Sequence, residues 1–448
     1  MHVITLETPS LGDRSYLVHD GAVGLVVDPQ RDIDRVLDAA DAAGVTITHV
    51  AETHVHNDYV SGGLALARTT GAGYLNSADA SLRFDHDSVA DGDRIEVGSM
   101  TVEVVHTPGH TPDHLSFVVR ADGEAPALFT GGSLLYGTVG RTDLISEDLT
   151  DELTRAQFHS ARRLAEALPD ETQVYPTHGF GSFCASAKSE GESDGSLGTE
   201  RSVNVALTID DEDDFVDRLV AGLTPYPRYY AQMGPLNSAG AVPVDLSTPA
   251  AVDPTELARR IHRGEWVVDL RQRRVYAAEH LAGTIGIELA DPFSTYLGWL
   301  LPWGTPVTLL GDTADQVADA QRQLVRIGID RPSGAATGGP DRWAPDHDRR
   351  SYPVVDFTDV AARDDVTILD VRRDDERSTG HIDGSIHVPI HELTDRLPEL
   401  PDTTLWVHCA SGFRASIGAS ILDRAGRDVV LIDDGYDNAA DAGLTMVP

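Results

Sequence analysis

Short apolar runs alternate with segments of helical period along this chain. Residues Met100 to Val105 alternate between apolar and polar side chains, as a half-buried strand does. Residues Thr404 to His408 form a run that predicts a buried strand, and a helical pattern follows from Ala415 to Ala425. Strands that alternate with helices are typical of α/β architectures. Because 448 residues exceed what one hydrophobic core holds, the sequence predicts several α/β domains.

A polar segment from Thr53 to Tyr59 follows one of the apolar runs. It reads Thr-His-Val-His-Asn-Asp-Tyr and places two histidines and a carboxylate close together. Histidines at i and i+2 turn both imidazoles toward one ion where the backbone leaves regular structure, as in a loop at the end of a strand. His54 and His56 are therefore candidate metal ligands. A polar surface loop is the alternative interpretation.

Two further segments repeat this chemistry in the same order along the chain. His106 to His114 follows the alternating strand pattern and breaks it with Pro and Gly, a turn that presents His110 inward. Pro176 to Gly179 contains His178. Together the three segments resemble the metallo-β-lactamase superfamily, whose signature HxHxDH precedes a TPGHT turn. The resemblance implies an αββα sandwich, with the three earlier histidines as metal ligands and His178 at a further metal-site position.

Two departures from this family pattern change the expected site. Tyr59 stands where the signature ends in histidine, and Gly132 stands where the family's TGD turn has a bridging or iron-binding aspartate. Both changes remove ligands of a second metal, so we expect one divalent ion, Fe(II) or Zn(II) on ligand type. A site that binds metal weakly or not at all is the alternative. Asp58 and His178 either orient a ligand histidine and move a proton or only bond the loop backbone.

An independent chemical signal lies near the other end of the chain. The strand pattern delivers Cys409 into Cys-Ala-Ser-Gly-Phe-Arg at the start of a helical pattern. Free backbone N–H groups, the helix dipole and Arg414 favour a thiolate there, which makes Cys409 a candidate nucleophile. The segment resembles the active loop of rhodanese sulfurtransferases and has the length of the sulfur-handling members. Leu369 to Arg372 and Gly380 to Ser385 resemble the first strand and turn of that domain.

An earlier stretch repeats this arrangement about a hundred residues upstream. Val267 to Arg271 and Glu279 to Thr284 echo the strand and turn of the later copy. The next strand pattern, Pro306 to Leu310, leads to Gly311 where the nucleophile should stand, so this copy cannot carry a persulfide. We expect it to dock the flanking domains or shape an acceptor surface. The predicted fold is an αββα sandwich over residues 1–245, then two tandem rhodanese-like α/β domains, inactive over 246–348 and active over 349–448.

The chain contains two cysteines, which excludes a disulfide framework. Cys184 lies six residues after His178, close enough to reach the metal pocket. We therefore treat it as a candidate catalytic residue together with Cys409, Arg414 and Asp58. A small buried apolar residue is the equal alternative for Cys184.

The formal charge of −37, from 72 Asp and Glu against 35 Lys and Arg, narrows the class of partner. Such a field repels nucleic acid and anionic membranes, which leaves small molecules and proteins and allows a homo-oligomer. Lys188 is the only lysine, and this composition favours a halophilic protein over an ordinary acidic one. The N-terminus has no basic region before an apolar core and no run is long enough to span a bilayer, so we expect a cytoplasmic protein.

The combined order of domains resembles fused metallo-β-lactamase and rhodanese proteins related to persulfide dioxygenases. The resemblance implies oxidation of a low-molecular-weight persulfide at a metal site, with Fe(II) favoured over Zn(II), and sulfur transfer through a persulfide on Cys409. Thiosulfate or sulfite would be the further small partners. Two alternatives stay open. One is a thioester hydrolase similar to glyoxalase II, and the other is a sulfur-relay protein with a vestigial metal site.

Overall fold

The computed structural model describes residues 1–186 and 195–448, which divide into two compact units. The first unit contains Met1–Asp245 with Leu324–Gly328, and the second contains Leu246–Gln323 with Ile329–Pro448. The second unit holds both of the segments that the sequence assigns to rhodanese-like domains. The boundaries at residues 246 and 349 stay predictions.

The first unit contains two sheets whose strands follow one another along the chain. One sheet has the order β1-β2-β3-β4-β5-β6, and the other has the order β11-β10-β9-β8-β7. The strands are β1 (His2–Thr8), β2 (Asp13–His19), β3 (Val23–Val27), β4 (Thr46–Ala51), β5 (Gly73–Ser77), β6 (Asp87–Val89), β7 (Arg94–Val97), β8 (Met100–His106), β9 (Leu115–Arg120), β10 (Ala127–Gly131) and β11 (Gln173–Pro176). The alternating strand predicted from Met100 is confirmed as β8.

Helices cover the outer faces of both sheets. The helices of this unit are α1 (Asp34–Ala43), α2 (Gly63–Thr70), α3 (Thr150–Ala167), α4 (Leu197–Val203), α5 (Val205–Thr208), α6 (Glu212–Ala221) and α7 (Tyr230–Ala239). Successive strand residues point to opposite faces. Val27 packs between the sheets with Phe117, whereas its neighbour Val26 packs outward with Val36 of α1. Leu128 packs outward with residues of α3 and α6. These layers confirm the predicted αββα sandwich.

The second unit contains two parallel sheets that share one topology. One has the strand order β14-β12-β15-β16, and the other has the order β18-β23-β22-β19-β21. The strands are β12 (Trp266–Asp269), β13 (His280–Leu281), β14 (Ile285–Gly286), β15 (Val307–Gly311), β16 (Gly334–Thr337), β17 (Arg349–Arg350), β18 (Val354–Val355), β19 (Thr367–Asp370), β20 (His381–Ile382), β21 (Ile386–His387), β22 (Leu405–His408), β23 (Val429–Ile432) and β24 (Met446–Val447). Strands β12 to β16 therefore repeat as β19 to β23. We refer to the residues of this unit before position 349 as its middle half and to residues 349–448 as its C-terminal half.

The helices between these strands repeat in the same order. They are α8 (Pro254–His262), α9 (Arg273–Ala278), α10 (Phe293–Leu300), α11 (Ala314–Arg326) and α12 (Pro340–Trp343) in the first copy, and α13 (Phe357–Ala361), α14 (Asp374–Ser378), α15 (Leu393–Arg396), α16 (Phe413–Arg424) and α17 (Asn438–Asp441) in the second. The buried strand and the helix predicted around Cys409 are confirmed as β22 and α16. Within residues 1–186 and 195–448, none of the helices combines the length and apolarity that a bilayer crossing requires.

Candidate metal centre and cysteine loop

The loop between β4 and α2 carries the first two candidate ligands. His54 and His56 are both buried. The amide nitrogen of Asn237, on α7, donates hydrogen bonds of 2.8 Å to the carbonyl oxygens of His56 and Tyr59, and its oxygen accepts one from the amide of Ser61. Helix α7 therefore fixes the backbone from which both imidazoles project.

His110 presents one ring nitrogen to the centre because the other is already bonded. Its Nδ1 lies 2.6 Å from the carbonyl oxygen of Arg141, so Nδ1 carries the proton and donates it to that oxygen. Its Nε2 is buried and has no hydrogen-bond partner among the described residues. A buried ring nitrogen without a partner is costly unless a ligand takes it. His110 is thus prepared to bind through Nε2.

His54 is oriented in the same way by its neighbour in the chain. The hydroxyl of Thr53 donates to Oδ2 of Asp28 at 2.7 Å, which leaves its oxygen to accept from Nδ1 of His54 at 2.9 Å. Nε2 of His54 then faces the centre, 3.4 Å from Nε2 of His178. Burial and the surrounding histidines lower the pKa of His54 well below its usual value. The neutral ring that results is the form that binds a metal.

His56 turns its Nε2 away from the centre. This nitrogen lies 2.9 Å from the Tyr59 hydroxyl, 3.1 Å from Oε2 of Glu52 and 3.3 Å from Oδ1 of Asp28. Its Nδ1 is buried without a partner among the described residues. Burial lowers the pKa of His56, but the charges and hydrogen bonds of Asp28 and Glu52 outweigh burial and raise that pKa to about 9. Tyr59 therefore bonds a candidate ligand histidine on the side away from the centre and does not itself face the centre.

The imidazoles converge on one small volume. The ring centre of His54 lies 4.1 Å from that of His56 and 4.8 Å from that of His110. One ligand atom each from His54, His56 and His178 lies within 4.8 Å of the others, and the same holds for His110, His178 and Cys184. Burial, followed by the charge of His178, lowers the pKa of His110 to about 3. The neutral rings of His54 and His110 and the unpartnered nitrogens of His56 and His110 fit a divalent metal ion. His178 belongs to both groups.

His178 is held by two buried carboxylates. Its Nδ1 lies 2.9 Å from Oδ1 of Asp13 and 3.1 Å from Oδ2 of Asp58. Burial lowers the pKa of His178, but Asp58 and Asp13 outweigh it and raise that pKa well above its usual value. In turn His178 lowers the pKa of Asp58 against the effect of burial. Asp58 and His178 thus form an ion pair beside the centre.

Gly132 leaves room for the ring of His110. A Cβ atom at position 132 would lie 2.3 Å from Cδ2 of His110, and one at Gly140 would lie 2.7 Å from Nδ1. The amide of Gly132 donates to Nε2 of His114 at 3.0 Å, so that fifth histidine has its own partner. An imidazole ring therefore fills the space that an aspartate at position 132 would need.

Cys184 lies at the same centre. It is fully buried, and its sulfur is one of the ligand atoms grouped with His110 and His178. Its carbonyl oxygen accepts a 2.8 Å hydrogen bond from the amide of Arg141. Burial, then Asp58 and Asp13, raise the pKa of Cys184 well above its usual value, so the thiol is protonated. The structure places Cys184 within reach of the metal pocket.

The cysteine loop lies in the second unit, between β22 and α16. Cys409 is only 1% exposed and follows the last residue of the strand. Gly412 is the N-cap of α16 and brings no side chain, so the first-turn N–H groups stay available to an anion. Both terminal nitrogens of Arg414 bond the carboxylate of Glu376, one of them at 2.7 Å. Arg414 therefore adds its charge to the loop as part of an ion pair.

Several residues of the metal centre could not be predicted from the histidine motifs. Asp13 and Asp28 each bond a histidine of the centre, and Asn237 holds the loop. Asp28 follows the apolar run of β3 directly, so its position at a strand end was a usable signal. Asp13 and Asn237 lie far from the histidine motifs in sequence and carried none.

Comparison with known proteins assigns both regions. A model of the metallo-beta-lactamase superfamily matches residues 13–178, and a model of the rhodanese-like domain matches residues 356–442. The chain is similar to a hydroxyacylglutathione hydrolase of Maricaulis maris, 34% identical over 178 residues that make up 38% of this chain and 64% of that protein. One from Pseudomonas aeruginosa is 35% identical over 134 residues, 30% of this chain and 48% of the relative. The matched part of the chain thus spans about half to two thirds of the length of these relatives.

A solved structure matches over a longer range. The metallo-beta-lactamase from Staphylococcus aureus subsp. aureus COL is 30% identical, with a TM-score of 0.67. The match covers 75% of this chain and 99% of that chain. It therefore includes more of this chain than the 245 residues that form the main body of the first unit.

Proposed function

Because the chain belongs to the metallo-beta-lactamase superfamily and carries a rhodanese-like domain, we propose that it oxidises a low-molecular-weight persulfide at a single-metal site and transfers sulfane sulfur through Cys409. One observation carries this proposal. A centre with three inward-facing imidazoles and a buried cysteine at a helix N-terminus occur in the same chain. A sulfur carrier has an evident task beside an enzyme that acts on persulfides.

The two reactions balance as follows. A persulfide, dioxygen and water yield the thiol, sulfite and two protons, so the sulfane sulfur is oxidised and dioxygen is reduced. Sulfite then attacks the outer sulfur of a persulfide on Cys409. The S–S bond breaks, thiosulfate leaves and the Cys409 thiolate returns. Backbone N–H groups at the start of α16 stabilise that thiolate.

His54, His56 and His110 would hold the ion. His178 lies near enough to these histidines to provide a fourth ligand. Iron(II), in preference to zinc, would supply the redox chemistry that oxidation of sulfane sulfur needs. The carbonyl of Arg141 keeps the proton of His110 on Nδ1. His178, paired with Asp58, holds a proton at the edge of the centre and can pass it to a departing thiolate.

A thioester hydrolase is the second candidate, and the names of the relatives favour it. Against it stand Tyr59, which bonds the back of His56, and Gly132, whose place beside His110 admits no carboxylate. Both features remove donors that a two-metal site uses. A sulfur-relay protein with a vestigial metal site is the third candidate, and loss of the ligand at position 132 is its only support.

We also propose that the middle half is a rhodanese-like domain without a nucleophile. Its strand order matches that of the C-terminal half, and the similarity to the Staphylococcus aureus protein extends beyond residues 1–245. Gly311 follows β15 at the place where Cys409 follows β22.

Anaerobic purification in high salt followed by metal analysis and oxygen uptake tests the main proposal. We expect about one iron per chain, and uptake of about one dioxygen per glutathione persulfide with sulfite as product. His110→Ala should abolish both iron binding and oxygen uptake. His106 is half-buried in the same segment, and His106→Ala, the matched control, should retain both. Hydrolysis of a glutathione thioester without oxygen uptake would establish the hydrolase. A chain without metal that retains transfer through Cys409 would establish the relay.

A further inference from the structure

Cys409 is almost completely covered although it begins a loop that should receive substrate. Its exposed fraction is 1%. Tyr296 of α10, a residue of the middle half, lies at the end of this loop. The ring of Tyr296 lies 5.7 Å from that of Phe413, the first residue of α16. The Tyr296 hydroxyl lies near enough to Arg414 and Cys409 for their charges to act on its pKa. The half that has no nucleophile therefore places an aromatic ring at the loop that carries the nucleophile of the other.

Helix α10 is held in this position by a second aromatic contact. The ring of Trp299, one helical turn after Tyr296, stacks on His391 at 4.8 Å with an angle of 22° between the rings. Trp299 is 2% exposed, so the contact is a buried one. Residues three apart lie on the same face of a helix, and this face of α10 is packed against the C-terminal half.

The middle half also reaches the cysteine loop through charge. Nε of Arg273, at the start of α9, donates to Oδ1 of Asp433 at 2.6 Å, and Arg274 bonds the other carboxylate oxygen. A Cβ atom at Gly412, inside the loop, would lie 2.1 Å from that same Oδ1. The carboxylate of Asp433 therefore packs directly on the loop backbone, and two arginines of the middle half hold it there.

Burial raises the pKa of Tyr296, although Arg414 opposes the rise. The hydroxyl therefore stays protonated and can donate a hydrogen bond to an anionic sulfur species. A change of rotamer at one side chain is enough to admit a small anion. A thiol as large as glutathione would require α10 itself to move against its aromatic and ionic contacts.

We propose that Tyr296 is a specificity-determining residue of the Cys409 site and limits it to small sulfur anions such as thiosulfate, sulfite and hydrosulfide. The inference rests on the sulfur transfer proposed for Cys409. In the reaction that loads the site, the Cys409 thiolate attacks the outer sulfur of thiosulfate, the S–S bond breaks and sulfite leaves with the electron pair. Bulky organic persulfides are excluded from this site and react elsewhere in the chain. When sulfite is the acceptor, the sulfur reaches Cys409 from a small donor such as hydrodisulfide, which transfers one sulfur to the thiolate and leaves as hydrosulfide.

The test measures how fast Cys409 is alkylated by a small and by a large reagent. Iodoacetamide and a maleimide attached to a bulky dye are each added to the full-length protein, and the modified peptide is followed by mass spectrometry. In the wild type we expect iodoacetamide to react and the bulky maleimide to react very slowly. Tyr296→Ala should raise the maleimide rate by about tenfold or more and the iodoacetamide rate much less.

Two variants serve as controls. Tyr296→Phe keeps the ring and should keep the discrimination by size. Trp303→Ala removes an aromatic residue of the same half that is 44% exposed, and both rates should stay at the wild-type values. If Tyr296→Ala leaves both rates unchanged, or raises them by the same factor, the inference is overturned. Alkylation needs only the thiol, so this result is independent of whether Cys409 transfers sulfur.

Discussion

The two halves of the second unit share a buried ion pair and differ in the loop beside it. In the middle half Nη2 of Arg271 lies 2.7 Å from Oδ2 of Asp269, and in the C-terminal half Arg372 and Asp370 repeat the contact at 2.8 Å. Each arginine also donates to a backbone carbonyl farther along the chain. The ion pair closes the turn after the first long strand in both copies. It therefore belongs to the fold and does not depend on a nucleophile.

The loops after the neighbouring strands have diverged. Leu310 pairs with Asp269 across the middle sheet, and His408 pairs with Asp370 across the other, so Gly311 corresponds to Cys409. In the middle half two residues separate this position from α11, and in the C-terminal half three separate it from α16. The two halves thus differ in one short loop while the sheet beside it is preserved. The middle half also supplies Tyr296 to the loop that carries Cys409.

The largest effect on the rate of sulfur transfer should come from replacing the sulfur of Cys409 with oxygen. Cys409→Ser should reduce thiosulfate:cyanide sulfur transfer by roughly a thousandfold or more, because the hydroxyl cannot carry sulfane sulfur at neutral pH. Gly311→Ser, at the corresponding position of the middle half, should leave the rate unchanged. Both are measured by thiocyanate formation. Transfer at the wild-type rate in Cys409→Ser would show that another residue is the nucleophile.

Removing the arginine of each ion pair should destabilise the halves unequally. Arg372→Met leaves the buried Asp370 with Arg377, whose Nη1 lies 3.3 Å from Oδ2, as its remaining arginine partner, and should cost about 3 kcal/mol in the free energy of unfolding. Burial raises the pKa of Asp269 even beside Arg271, whereas at Asp370 Arg372 and His408 outweigh burial and lower its pKa. Arg271→Met should therefore reduce the free energy of unfolding by less, since Asp269 can bind a proton and become neutral. Denaturant unfolding of both variants at pH 7 measures the difference, and equal losses would contradict this reasoning.

A smaller, pH-dependent difference should arise from His408, where the middle half has Leu310. Burial lowers the pKa of His408 to about 4. As the pH falls from 6.5 toward 4 the unfolded state binds this proton and the folded state does not, so folding loses about 3 kcal/mol by pH 4. His408→Leu should remove this loss and leave the stability at pH 8 nearly unchanged. Unfolding free energies of the two proteins across this pH range provide the test, and parallel curves would refute it.

Local sequence patterns were enough to predict the candidate site residues that lie close together in the chain. The strand, cysteine and helix around Cys409 follow one another without interruption, and the periodicity of each segment predicted it. The same holds for His54 and His56, which a single loop presents. His110 required a second motif. Its turn broke a strand that was visible in the alternating pattern, and the structure places the ring beside the other two.

Partners that are distant in the chain could not be predicted in this way. Asp13 binds His178 across 165 positions, and Asn237 binds the backbone of His56 across 181. Neither has a local pattern that distinguishes it from an ordinary surface residue, because its role arises only when the sheets and α7 have packed. The contact of Tyr296 with the cysteine loop is of the same kind. The sequence indicated that the middle half shapes another surface, but not which residue does so.

The place of His110 against Gly132 has a consequence for substitutions at this site. A carboxylate cannot be introduced at position 132 by one substitution, because its Cβ atom would collide with the imidazole at 2.3 Å. The ring is anchored in turn by the carbonyl of Arg141. A carboxylate at this position would therefore need a shift of the His110 ring at the same time. Positions 132 and 110 are therefore coupled, and a single substitution at position 132 would disturb the histidine as well.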